Sequence, residues 1–303
     1  MNLLSIAVAL LLWPIPVAVQ SVGSITFLEG SLRVLRGTEV LLGAENMHLR
    51  QGDILESSDK GFVQLEFAGG PIVALGPSSR VYILRHEGHA SGEKGAGGNA
   101  VAAELVLLSG WLKAESNSIE GPYRYETPIV AATSGSGTVL IHEHEGECDV
   151  FVESGTAVVG EVGPDGGVRQ PGAAKAGQFF SRRTGKSLSS VSRPNAAFLE
   201  AMPPAFRDTL PSRLAHFTGK PVEPKPDHEV SYVEIQPWLR VPPAWRRGFV
   251  DRFEPRLKDP EFRKQLELHV AEYPEWDKIL HPEKQPESRS APVSNPESTR
   301  PRT

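Results

Sequence analysis

The residues most able to do chemistry are grouped in one short segment, residues 142–148, which reads His-Glu-His-Glu-Gly-Glu-Cys. If this segment is a strand, His142 and His144 project to the same face, because side chains alternate between the two faces of a strand. Two imidazoles on one face are a ligand pair that metal sites use. Further ligands could come from Glu145, Glu147 and Cys148. The alternative is a β-hairpin whose polar residues face water, and because it needs no metal we favour it and predict no metal or cofactor.

Other catalytic motifs are incomplete. Residues 185–187 read Gly-Lys-Ser, like the end of a phosphate-binding loop, but the glycine required five residues earlier is Phe180. Ser136 lies between Gly135 and Gly137, which is not the Gly-x-Ser-x-Gly pattern of a nucleophile elbow. The sequence also has no His-Glu-x-x-His motif. We therefore predict that the protein is not an enzyme.

A second candidate site lies in the last third of the chain. Trp245, Arg246 and Arg247 place an aromatic ring beside two guanidinium groups, a combination that could bind a glycan or an anionic polymer. Acidic residues nearby offset this positive charge, and the formal net charge of the chain is −5, so no nucleic-acid partner is expected. The tryptophans of this region, which are Trp238, Trp245 and Trp276, are interpreted mainly as core residues.

Residues 22–190 are predicted to form an all-β domain. Short segments in which apolar and polar residues alternate are separated by glycine turns about ten residues apart, a pattern typical of a β-sandwich, roll or barrel. The predicted strands are residues 31–36, 62–67, 72–75, 80–84, 105–108, 139–144, 148–153 and 156–159. Residues 89–99 are glycine-rich and are expected to form a flexible insertion at a hairpin tip.

An ordered series of short motifs runs through this domain. The motifs are GSLRVLRG (30–37), LRQGDIL (49–55), VQLEFAGG (63–70), LGPSSRV (75–81), LSGWL (108–112), ETPIV (126–130), SGT (136–138) and VESGTAV (152–158). In order and spacing, residues 25–180 resemble the FecR domain, the extracytoplasmic β domain of bacterial FecR-type regulators. The resemblance implies a FecR-like β-sandwich or roll outside the cytoplasm.

Two features depart from that family. A FecR-type regulator has a cytoplasmic helical segment and a transmembrane helix before this domain, whereas only about 20 residues precede it here. The Arg-Gly-Thr expected near one motif is replaced by residues 136–138, which read Ser-Gly-Thr. From the first departure we expect no segment that could hold a sigma factor in the cytoplasm. The second is expected to affect a local turn or salt bridge but not the fold.

The first 21 residues are predicted to be a signal peptide. They are almost wholly apolar, and Pro14 and Pro16 interrupt the apolar run before small residues follow. The absence of Lys or Arg before Leu3 leaves two alternatives, an uncleaved membrane anchor and a buried N-terminal helix. Export implies an oxidising compartment, with which the single cysteine, Cys148, is compatible if it is buried.

Residues 191–283 are predicted to form a helical module, and residues 284–303 a disordered tail. Cap and proline signals predict helices that begin near Asn195, Thr209, Ser231, Pro243 and Asp259. We recognise no named family in this half.

Together these features predict a periplasmic or secreted bacterial envelope protein with a non-catalytic binding or scaffold role through protein–protein contacts. One alternative is a peptidoglycan or glycan binder that uses the aromatic C-terminal module. Another is an accessory to a membrane-bound sigma-factor regulator. A membrane association is expected only if the N-terminal segment stays uncleaved.

Overall fold

The structure is a computed structural model, and it describes residues 21–86, 103–117, 121–246 and 248–282. The predicted tail, most of the predicted signal peptide, the glycine-rich insertion and Arg247 lie outside the described residues. The described part of the chain divides into two compact units. One is formed by its residues up to 230 together with 242–245, and the other by residues 231–241 and its residues from 246 onward. The division predicted at residue 190 therefore falls inside the first unit.

The first unit is mainly β, which confirms the predicted fold class. Its strands are β1 (Gly23–Glu29), β2 (Leu32–Arg36), β3 (Glu39–Leu42), β4 (His48–Leu49), β5 (Ile54–Ser57), β6 (Phe62–Phe67), β7 (Ile72–Leu75), β8 (Arg80–His86), β9 (Ala103–Asn117), β10 (Tyr123–Glu126), β11 (Val130–His144), β12 (Glu147–Val162), β13 (Val168–Lys175), β14 (Phe179–Arg183), β15 (Ser189–Val191) and β16 (Lys225–Glu229). Pairing is antiparallel except between β9 and β10, which are parallel.

Three long strands, β9, β11 and β12, join two halves of this sheet. The first half of β9 pairs with β8 and β10, and its second half pairs with β7 and β11. The strands change direction at glycines with positive φ, which are Gly110 at +90°, Gly137 at +102° and Gly155 at +72°. A Cβ on Gly137 would lie 2.2 Å from the carbonyl oxygen of Ser154, so the close approach of β11 and β12 requires glycine there.

One large apolar core lies between the two halves. It includes Leu32, Val34 and Leu55 of β2 and β5 from one half, and Leu65, Val73 and Leu112 of β6, β7 and β9 from the other. We call the sheet face that contributes to this core the inner face and the opposite face of β6, β7, β9, β11, β12 and β14 the outer face. Because successive side chains alternate, every second residue of these strands belongs to the outer face.

The helices are short. They are α1 (Ala196–Ala201) in the first unit, α2 (Tyr232–Leu239), α4 (Phe249–Phe253), α5 (Pro260–Leu268) and α6 (Asp277–Leu280) in the second, and α3 (Pro243–Arg246) at the division between them. The predicted caps are confirmed at Asn195, whose side chain accepts from the amide of Phe198, and at Ser231, which forms a capping box with Glu234. No helix in the described part of the chain is long and apolar enough to cross a membrane.

The helix predicted to begin near Thr209 is not formed. Only a 3-10 turn follows, at Leu214–His216, because side chains of the sheet already hold the main chain of this segment. Glu115 accepts from the amide of Leu210, and Glu66 accepts from the amide of Arg213. These tertiary hydrogen bonds compete successfully with the local signal for a helix.

Candidate functional site

The outer face is built from side chains that the strand register places in rows. One row, read across β6, β7, β9, β11, β12 and β14, consists of Gln64, Ala74, Lys113, Leu140, Phe151 and Phe179. The neighbouring rows contain Glu66 and Glu115 on one side and Trp111 and His142 on the other. The outer face therefore combines aromatic and aliphatic side chains with charged groups.

Residues 195–213, which we call the strap, cover part of the outer face. The strap contributes Phe198, Phe206 and Leu210 to a small apolar cluster that also contains Ala74, Trp111, Leu140 and Phe179. The ring of Phe198 lies 5.1 Å from that of Phe179 and 5.2 Å from that of Trp111, measured between centroids. Apart from α1, the strap contains only a 3-10 turn at Pro204–Arg207.

Polar side chains of the outer face hold the strap by its main chain. The ammonium group of Lys113, 1% exposed, donates to the carbonyl oxygens of Phe206 at 2.9 Å and Asp208 at 2.8 Å. The amide of Gln64 donates to the carbonyl of Pro211 at 2.8 Å. The carboxylates of Glu115 and Glu66 accept from main-chain amides of the strap. The charged side chains that the strap covers therefore have hydrogen-bond partners, as buried polar groups require.

An open cleft of about 970 Å³ lies beside the strap, entirely within the first unit. It is lined by residues 31, 33, 56–58, 77, 78, 80, 109–111, 142–145, 200–204 and 207. The strap thus forms one wall, and the β-hairpin that carries both candidate histidines forms another. This cleft is the candidate functional site.

A stack of three rings leads into the cleft. The ring of His142 lies parallel to that of Trp111 at 3.8 Å and to that of His144 at 4.3 Å between centroids. His142 and His144 therefore share a face, as the sequence predicts. Burial, followed by the neighbouring His144, lowers the pKa of His142 to about 4, so His142 is neutral at pH 7.

The same stacking does not suit a metal ion. A metal lies in the plane of each imidazole that binds it, about 2.0–2.1 Å from the nitrogen. Two parallel rings 4.3 Å apart cannot both have one ion in their planes. Cys148 belongs to the inner core and so projects away from the histidines. Within the described residues, no group of three or more His, Cys, Asp or Glu side chains is arranged to hold a metal.

One acidic group of the cleft lies between two arginines. Glu56, 7% exposed, pairs with Arg33 and, at 3.5 Å, with Arg80, while both arginine side chains are more than 40% exposed. Ser57 and Ser79 donate hydroxyl protons to the carbonyl oxygen of Gly76 at 2.6 and 2.9 Å. These hydroxyls therefore stabilise the turn at residues 76–79.

A buried carboxyl group lies behind the hairpin, at the inner face. Glu143 is 3% exposed and is paired in register with Cys148. Burial raises the pKa of Glu143 to about 7, and hydrogen bonds from Thr127 and Cys148 only partly oppose this shift. Burial also raises the pKa of the Cys148 thiol well above its usual value, so the thiol is poorly reactive in the folded protein.

The second candidate site is not assembled as a platform. Trp245 is 3% exposed, and its indole donates to the carboxylate of Glu126 at 2.8 Å. Arg246, 12% exposed, forms an ion pair with Glu275 at 3.0 Å, and Arg247 lies outside the described residues. Trp238 and Trp276 are fully buried, which agrees with their interpretation as core residues.

Several residues of the outer face were missed by the sequence analysis. Lys113, Gln64 and Glu66 occupy the polar positions of alternating strands, which ordinarily face water. Trp111 was noted only as part of a motif. No local signal identifies these residues, because their burial depends on a segment 93 to 147 residues later in the chain.

Comparisons with known proteins leave the family open. No protein-family model matches the chain. No curated protein matches it either. Two solved structures of a proposed anti-sigma factor from Parabacteroides distasonis are similar, each with 10% sequence identity. They give TM-scores of 0.36 and 0.37 and cover 46% and 49% of this chain. The chain spans 59% and 64% of those proteins' chains, less than two thirds, and at this level the resemblance to the FecR domain stays a prediction.

Proposed function

We propose that the protein is an exported, non-catalytic binding protein of the bacterial envelope that holds a protein partner in the cleft of its FecR-like β domain. The observation that carries this proposal is the cleft of about 970 Å³, which is open and lined by charges of both signs. Mixed charges suit the varied surface of a protein, since complementary patches favour correct pairing and oppose wrong partners.

Three features support a binding role without chemistry. One acidic group of the cleft, Glu56, forms ion pairs with two arginines. The hydroxyl groups of Ser57 and Ser79 donate to main-chain carbonyls. His142 is held between two rings. A protein is favoured over a glycan because the tryptophans on which the glycan alternative depends, Trp238, Trp245 and Trp276, are buried.

Site-specific photo-crosslinking in bacteria tests this proposal. A photoreactive amino acid replaces either Ser78 or Glu145, both of which line the cleft, and for the control it replaces Lys175, an exposed residue on β13 outside the lining. We expect the same discrete protein adduct from both cleft positions, its loss on Arg80→Glu, and none from the control. Adducts that are identical at all three positions, or absent from both cleft positions, would overturn the proposal.

The export part of the proposal has its own measurement. N-terminal sequencing of the protein recovered from the periplasm or medium should begin near residue 22, since we predict cleavage at the end of the apolar run. Recovery of chains that retain Met1 would contradict a cleaved signal peptide.

A further inference from the structure

Side chains of the outer face hold the strap through hydrogen bonds to its main chain. Five hydrogen bonds join side chains of the sheet to main-chain groups of Phe206, Asp208, Leu210, Pro211 and Arg213. Hydrogen bonds to main-chain groups can be made to almost any sequence and so supply affinity, whereas pockets for side chains supply specificity. Here the pockets take Phe198, Phe206 and Leu210.

The C-terminal end of the strap contacts an acidic side chain and an aromatic ring. Glu66 accepts from the main-chain amide of Arg213 and from the hydroxyl of Ser212, both at 2.6 Å. The guanidinium group of Arg213 lies over the ring of Phe27, 4.5 Å from its centroid. The groove therefore favours a basic residue three positions after the leucine anchor.

The strap can leave without unpairing the sheet. Both ends are tied to the first unit, one through β15 and the other through β16, while residues 192–224 pair with no strand. The groups that the strap covers include Lys113, Glu66 and Glu115, which water can solvate when the strap opens. Opening of this segment therefore costs less free energy than exposing the apolar core of the inner face.

We propose that the outer face is a peptide-binding groove that the strap occupies in cis, as a displaceable competitor of a partner protein. The partner supplies a segment that folds like the strap, with a short helix and a 3-10 turn in otherwise irregular chain. It carries two aromatic residues, a leucine and a basic residue spaced like Phe198, Phe206, Leu210 and Arg213. Because the strap is tethered at both ends, its effective concentration at the groove is high, and a partner binds only as the strap opens. Opening also removes the cleft wall formed by residues 200–204, which links this surface to the cleft.

A labelled peptide with the sequence of residues 195–217 tests this proposal by fluorescence anisotropy with the full chain. Phe206→Ala removes a strap anchor but leaves the sheet intact, so it should raise the affinity for the peptide by about tenfold or more. Leu214→Ala, at an exposed residue beyond the strap, is the matched control and should bind like the unsubstituted chain. Asn195→Ala, which removes only the cap of α1, should raise the affinity by a smaller factor.

Two further variants identify the groove. Adding Lys113→Met to Phe206→Ala should abolish the gain in affinity, and a peptide carrying Phe206→Asp should not bind any variant. The Cys148 thiol is buried and unreactive in the folded protein, so its reactivity reports whether each variant is folded. If Phe206→Ala is unfolded, the affinity of Asn195→Ala for the peptide decides the test. Equal affinity in folded Asn195→Ala, Leu214→Ala and unsubstituted chains, or no binding in any of them, would overturn the proposal. Crosslinking reports on a partner at Ser78 and Glu145, whereas the peptide assay reports on the outer face beneath the strap, so the two proposals can fail separately.

Discussion

The inner and outer faces of the same strands are covered in different ways. The inner face meets the other half of the sheet in a wide cluster of buried apolar residues. The outer face is closed by an irregular segment, the strap, over a small apolar cluster flanked by Lys113, Glu66 and Gln64. Burial alone therefore does not show that a surface stays closed. The polar groups of the outer face can form hydrogen bonds with water when the strap opens, whereas apolar core residues cannot.

The largest effect should separate two buried leucines on adjacent strands. Leu112 lies on the inner face, Leu140 lies on the outer face, and both are 0% exposed. We expect Leu112→Ala to lower the free energy of unfolding by about 3 kcal/mol, the ordinary cost of a cavity in a core. Leu140→Ala should cost only about 1–2 kcal/mol, because the strap can move to fill the space. Equal losses in urea denaturation would break the distinction between the faces.

The buried carboxyl of the inner face should make stability depend on pH. Glu143 has a pKa of about 7 in the folded protein and near 4.5 when unfolded. The folded state therefore binds more protons between these values, so its stability falls as pH rises through this window, by up to about 3 kcal/mol. Glu143→Gln should remove this loss. The free energy of unfolding of the variant, minus that of the unsubstituted protein, should therefore be larger at pH 8 than at pH 4.5. Parallel stability profiles from pH 4.5 to 8 would show that Glu143 ionises normally.

Stability should be sensitive to substitution of Gly137, where β11 bends, and should tolerate substitution of the nearby Gly135. Gly137→Ala forces a side chain into positive φ against the main chain of Ser154 and should cost about 2 kcal/mol or more. Gly135→Ala meets no atom within 4 Å and should change stability by less than about 0.5 kcal/mol. Thermal denaturation of the two variants tests whether the bend at residue 137 is needed, and similar midpoints would contradict it.

The smallest effect should be confined to the strap. Asn195→Ala removes the hydrogen bond from the amide of Phe198, 2.7 Å long, at the start of α1. Such a cap contributes about 1 kcal/mol. We expect faster proteolysis within residues 195–213 with little change in the midpoint of global unfolding. A fall in the midpoint as large as that of Leu112→Ala would show that the strap and the core unfold together.

The sequence predicts much of the β architecture and less of the site. Alternation correctly marks residues 62–67 as a strand, but it suggests that Gln64 and Glu66 face water, whereas the strap buries both. Residues 148–153 and 156–159 were predicted as two strands, because Gly155 resembles a turn. In the structure Gly155 bends a single continuous strand, β12.

The candidate site shows the same limit. The two-residue period of a strand is enough to place His142 and His144 on one face. The position of Trp111 beneath them depends on the pairing register of β9 with β11, which local sequence does not encode. For the same reason the sequence placed Cys148 among candidate ligands, although it belongs to the core.

Hydrogen exchange of individual amides tests the central claim most directly, that the outer face is closed by a displaceable segment. The amides of Leu210 and Arg213 report on the strap, and those of β9 residues such as Leu112 report on the sheet. We predict that the strap amides exchange through a local opening at least about 2 kcal/mol below the free energy of global unfolding, while the β9 amides exchange only through global unfolding. Identical exchange free energies in the two sets would contradict the account.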